Sequence, residues 1–155
     1  MTTVNIHYRI ELFGQPTDMT CWSAALTMLF GNRFSAGPGR AATDKKGGLQ
    51  PSFGNLQELT RAYGLTLYAP QSWTVEGLIT LLHKGPVIMM GYMPSGHAIV
   101  IGGIAGDGTA KGTTLTIYDP WPPSTKKVPG GKIYRANYAQ LMTAFPMAST
   151  YLLQR

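Results

Sequence analysis

Apolar residues recur along this chain at two different periods, and the period changes at Pro86. Before Pro86 the spacing is helical. Trp22, Ala25, Leu26 and Leu29 fall at i, i+3, i+4 and i+7, which places them on one helical face, and Gly31 ends the run. Asp18 and Thr20 stand ahead of it as N-cap candidates, because a short side-chain oxygen can accept from backbone N–H groups of the first turn. Asn55 is placed to cap a second helix carrying Leu56, Leu59 and Tyr63 as far as Gly64. Thr74 is placed to cap a third, with Val75, Leu78, Ile79 and Leu82, which stops at Gly85 and Pro86. Between the first two helices, Gly31 to Gly54 is rich in Gly, Pro, Ser and Lys and reads as a long surface loop.

After Pro86 the pattern becomes that of strands. Val87 to Tyr92 and His97 to Gly103 are short apolar runs separated by Pro94, Ser95 and Gly96, which predicts a buried hairpin. Thr113 to Tyr118 alternates after the Gly106-Asp107-Gly108 turn. Lys126 to Val128 and Lys132 to Tyr134 flank Pro129, Gly130 and Gly131 and predict another hairpin. Asn137 can cap a last short helix with Tyr138, Leu141, Met142 and Phe145, and Ala148 to Leu153 returns as a closing strand. Upstream, Val4 to Leu12 alternates loosely, as an edge strand or extended arm would. The fold class that follows is α+β, with a mainly helical first half and an antiparallel β second half.

A length of 155 residues with 44% hydrophobic content fits one domain with its own core. The excess of 13 Lys and Arg over 7 Asp and Glu is scattered, with Lys45-Lys46 and Lys126-Lys127 as the short concentrations, so the nucleic-acid footprint is weak and a solubilising surface is the expected reading. One cysteine cannot form an internal disulfide, and a free thiol suits a reducing compartment such as a target-cell cytoplasm. Met1 to Glu11 lacks the apolar core of a secretion signal, and no run approaches the roughly 18 apolar residues of a membrane span. A start directly in the strand-like Val4 to Ile10 is what a domain cut from a larger protein would show. Three His and one Cys at unrelated spacings make no metal set, and no cofactor is expected. Gly102 to Gly108 follows an apolar strand but opens no helix, so a phosphate-cradling loop is excluded there.

The chemistry gathers around Cys21, which the pattern places in the first turn of a helix. A thiol there feels the positive end of the helix dipole, which favours the nucleophilic thiolate. Such a nucleophile needs a base and a group that orients the base. His97 opens one buried strand and Asp119 closes the next, and antiparallel pairing would bring those two ends together. Asp119 also shares a face with Leu115 and Ile117, where an acid is out of place without a partner such as an imidazole. Taken singly, each residue has a plainer reading: Cys21 as a small buried hydrophobe, His97 as a structural strand-end residue, and Asp119 before Pro120 as a turn opener. His83 complements a helix C-terminus, His7 lies in an arm with no acidic neighbour, and Asp107 is turn chemistry.

Taken together, Gln15, the run Cys21-Trp22-Ser23-Ala24-Ala25, Leu81 to Val87, Gly96 to Val100, and Asp119-Pro120-Trp121 resemble the papain-like cysteine proteases. The likeness is to compact bacterial versions, among the staphopain-like enzymes and secreted effector proteases, and covers about residues 15 to 121. The resemblance implies a two-lobe fold, with a helical lobe over about 13–85, a β lobe over about 86–155, and a cleft between them. It implies Cys21, His97 and Asp119 as the catalytic residues, Gln15 in the oxyanion hole with the Cys21 backbone N–H, Trp22 as support, and Trp121 shielding the His97/Asp119 pair. It further implies a protein or peptide substrate and a bacterial effector or toxin role, with a neutralising immunity or inhibitor protein in the producing cell. The same residues could serve a deamidase, a transglutaminase-like enzyme or a cell-wall peptide amidase, or be vestigial in a binding module.

Overall fold

The computed structural model describes residues 3–16, 20–31, 53–91, 97–146 and 149–155. In chain order these form β1 (Val4–His7), α1 (Cys21–Phe30), α2 (Phe53–Tyr63), β2 (Thr66–Tyr68), α3 (Val75–Lys84), β3 (Val87–Gly91), β4 (Ala98–Gly106), β5 (Thr113–Asp119), β6 (Lys132–Asn137), α4 (Tyr138–Ala144) and β7 (Thr150–Gln154). The strands make one sheet in the order β2-β7-β3-β4-β5-β6, and β1 pairs with the far half of β4. Every pairing is antiparallel.

The sheet must be covered on both faces, because its central strands are apolar on both. Val87, Ile88, Met89 and Met90 of β3 are all buried, as are Ala98 to Ile101 of β4. The alternation then sorts the layers. Ile88, Met90, Ala98, Val100 and Leu153 pack with Leu26 of α1 and with Leu56 and Leu59 of α2. Their neighbours Val87, Met89, Ile99, Ile101 and Leu152 point the other way, onto Leu78, Leu81 and Leu82 of α3 and Leu141 of α4. Each such leucine taken out of water contributes about 2 kcal/mol, so the two layers hold the sheet between them.

Local signals set the element ends. The Gly31 φ of 72° closes α1, with its N–H donating to the Thr27 carbonyl at 3.1 Å. Thr74 caps α3 by accepting from the Gly77 N–H at 3.0 Å. Asn137 and Gln140 form a reciprocal capping box on α4. No helix among the described residues is long and apolar enough to cross a membrane.

Several expectations need correction. The edge strand expected in Val4 to Leu12 forms as β1, but the mainly helical first half also holds an unexpected strand, β2, which joins the sheet beside β7, and α3 packs on the face opposite α1. Helix α2 starts at Phe53, so Asn55 lies inside its first turn and does not precede it. Thr20 occupies the N-cap position of α1 without a side-chain capping bond. Lys126 to Val128 forms no strand: the Thr125 hydroxyl accepts from the Lys127 and Val128 N–H groups and closes a local turn, while β6 pairs with β5. Asp18, the Pro94 to Gly96 turn and all of the 31–54 loop except its ends lie outside the described residues.

Candidate active site

Cys21 is the first residue of α1, and Trp22, 2% exposed, anchors that end of the helix in the core beside Ala98 and Val100 at the start of β4. His97 immediately precedes β4 and Asp119 ends β5. The register pairs Val100 with Tyr118, so the start of one strand lies beside the end of the other. His97 Nε2 and Asp119 Oδ1 are 2.6 Å apart, a hydrogen-bonded ion pair when the imidazole is protonated. The Cys21 side chain is a second hydrogen-bond partner of His97. With Nε2 turned to Asp119, Nδ1 is the nitrogen left for the sulfur. Three residues far apart in sequence thus form a Cys21, His97, Asp119 line.

The charges in this line are set by opposing effects. Burial pushes the His97 imidazolium down, but the hydrogen bonds it donates to Asp119 and Cys21, and the negative charge of both, outweigh it and raise the group to about 9. His97 is therefore an imidazolium at neutral pH. Asp119, 7% exposed, is held from three sides: Oδ1 also accepts from the Trp121 backbone N–H at 2.9 Å, and Oδ2 accepts from the Tyr134 hydroxyl at 3.4 Å. Burial first, then the Asp119 charge and hydrogen bond, push Tyr134 up to about 12, so it stays a donor. Lys132, opposite Asp119 in the register, carries its Nζ over the Tyr134 ring at 5.3 Å from the centroid.

Gln15 is buried, and its backbone is clamped to the loop that leaves Asp119. Its N–H donates to the Pro120 carbonyl at 3.0 Å, and its carbonyl accepts from the Ser124 N–H at 2.8 Å. The Ser124 hydroxyl completes the clamp by accepting from the Gly130 N–H at 2.9 Å and donating to the Gly14 carbonyl at 3.3 Å. Side chains do not fit between these strands of loop. A methyl on Gly14 would lie 2.4 Å from the Gly130 carbonyl carbon, and one on Gly130 would lie 2.3 Å from the Pro122 carbonyl oxygen. Gly130→Ala is expected to lower stability by about 1–3 kcal/mol through this overpacking and to slow turnover with it, read as a paired drop in urea midpoint and kcat. Unchanged values of both would show that the clamp is slack.

Trp121 reaches Asp119 through its backbone, while its side chain is 44% exposed at the rim. His7 lies in β1 and His83 in the last turn of α3, and neither partners Asp119. Asp107 is turn chemistry, accepting from the Thr109 N–H and hydroxyl at 2.9 and 2.6 Å. Sequence reasoning missed Tyr134, Ser124 and the Gly14/Gly130 contact. Tyr134 was hidden because its partner strand was misassigned: paired with β5, it stands opposite Ile117 and within reach of Asp119. No group of three or more His, Cys, Asp or Glu able to hold a metal occurs among the described residues.

The family described as papain-like cysteine protease AvrRpt2 matches residues 1–139 of the chain. No curated protein matches it significantly.

Proposed function

The chain belongs to the papain-like cysteine protease AvrRpt2 family, and from that premise we propose that it cleaves peptide bonds of a protein substrate with Cys21, His97 and Asp119. At the level of the family it is a cysteine protease, a hydrolase that acts on protein. The observation that carries the assignment of residues is the hydrogen-bonded line from Cys21 through His97 to Asp119. A buried carboxylate 2.6 Å from an imidazole that also bonds a thiol is the arrangement acyl transfer requires.

The steps follow from the resting charges. With His97 protonated, the Cys21 sulfur faces a cation, and it is this sulfur that attacks. Attack on the scissile carbonyl forms the carbon–sulfur bond and moves the carbonyl electron pair onto oxygen. Gln15, with the backbone N–H of Cys21, would hold that oxyanion. His97 then gives its proton to the departing amine as the carbon–nitrogen bond breaks. Neutral His97 next takes a proton from water, whose oxygen attacks the thioester; His97 becomes imidazolium again, and the carbon–sulfur bond breaks, returning its electron pair to the Cys21 sulfur and releasing the acid product. Asp119 keeps the ring oriented throughout. In lobe terms, α1 and α2 supply the nucleophile side and the sheet supplies the His97/Asp119 side, with the substrate lying between.

Proteomic mapping of new N-termini in a lysate treated with the wild type or with Cys21→Ala tests this reading. Cleavages made by the wild type alone are expected. A glutamine-to-glutamate mass change without new N-termini would assign the same residues to deamidation instead. The effector or toxin role is part of the same proposal. It requires that expression of the wild type arrest growth of a susceptible cell, that Cys21→Ala not do so, and that a neutralising partner restore growth.

A further inference from the structure

At the end of the sheet away from His97, the face that α1 and α2 cover elsewhere carries a cavity of about 290 Å³. Its walls are Asn5 and His7 of β1, Thr114 and Thr116 of β5, and Arg135 of β6, with Ala105 of β4 on the floor. The registers explain why they meet. Asn5 stands opposite Ala105, Ala105 opposite Thr114, and Thr116 opposite both Gly103 and Arg135, so all point to one side of the sheet. The depression exists because β4 carries small residues here. A methyl on Gly103 would already lie 3.1 Å from His7 Nδ1 and 3.4 Å from the Thr116 hydroxyl. Taller polar side chains on the neighbouring strands form the rim.

The chemistry of that rim is one-sided. It offers a guanidinium, an imidazole, two hydroxyls and a carboxamide, and no carboxylate lines the cavity. None of the five side chains makes a hydrogen bond or ion pair with another described residue. The chain's net charge of +6 adds a field of the same sign. Arg135 is always charged and presents a fork of N–H groups suited to two oxygens of one anion, with hydroxyls placed to serve the others.

We propose that this cavity is a binding site for a phosphate group, roomy enough for a phosphomonoester with a small organic portion and separate from the cysteine, histidine and aspartate of the other sheet end. It lies outside the proposed catalytic line, so its fate is independent of the protease reading. The probes are inorganic phosphate and free O-phosphoserine, titrated into the whole isotope-labelled protein against chloride at equal ionic strength and followed by amide NMR shifts. Saturable shifts at residues 5–7, 103–105, 114–116 and 135 are expected. Tighter binding of O-phosphoserine than of inorganic phosphate marks a phosphomonoester ligand, and equal binding marks free phosphate.

Arg135→Gln is expected to weaken either probe by roughly tenfold or more. Ala105→Leu, which fills the floor while leaving every donor in place, is expected to abolish binding. Both variants should keep their amide spectra dispersed and their peptide hydrolysis unchanged. Shifts that chloride reproduces, or binding that survives both substitutions, would overturn the site.

Discussion

Replacing Cys21 with Ala is expected to reduce peptide hydrolysis to background, a loss on the order of a million-fold in kcat if the thiol is the nucleophile. The fold should persist. Cys21 is 9% exposed at the edge of the core formed by α1, and truncating one sulfur there costs about 1 kcal/mol, a small part of a domain's stability. A second readout separates a lost nucleophile from a damaged protein. The hydrogen bond and negative charge of Cys21 both help raise His97 to about 9, so in Cys21→Ala the His97 ring must titrate at lower pH. A ring titration followed by NMR that does not move would mean the thiol and imidazole are not partners. Residual hydrolysis at the wild-type rate would remove Cys21 from the mechanism altogether.

Asp119→Asn is expected to cut kcat by about a hundred- to ten-thousand-fold, because a neutral amide cannot stabilise the imidazolium or fix the tautomer in the same way. It should also change how stability depends on pH. His97 is raised in the folded state from 6.5 to about 9, so the folded protein holds the proton more tightly than the unfolded chain. The resulting stabilisation is fully present below about pH 6.5 and is lost as pH rises through about 9. Its upper bound is about 3 kcal/mol, and exposure of the His97 side chain to solvent at 24% reduces it. Urea midpoints of the wild type should therefore fall across this window, and those of Asp119→Asn should fall less. An equal fall in both would place the source of the shift elsewhere.

Much of the site was legible because its residues sit where local rules are strict. The Trp22, Ala25, Leu26, Leu29 spacing placed Cys21 at a helix start, and antiparallel pairing of two strong apolar strands carried His97 to Asp119. What escaped depends on contacts between distant segments. Strand β2 is three residues long and gains its partner from β7, far along the chain, so no local alternation reveals it. The Lys126 to Val128 strand failed because one hydroxyl, that of Thr125, captured the N–H groups a ladder would have used. Tyr134 and the Gly14/Gly130 contact exist only once β6 lies beside β5 and the following loop folds back on Gln15. Propensity sees neighbours in sequence, while these are neighbours in space.

The place of β7 between β2 and β3 has a consequence for biosynthesis. Of the described strands it leaves the ribosome last, yet it lies inside the sheet and supplies Leu152 to one core layer and Leu153 to the other. Until it arrives, β2 has no partner and β3 shows an unpaired edge of buried-type apolar residues, the surface on which nascent chains stick to one another. Holdase chaperones would thus find their target in the incomplete β3 edge. Release from them would be timed by a segment of five residues, Thr150 to Gln154, closing the gap.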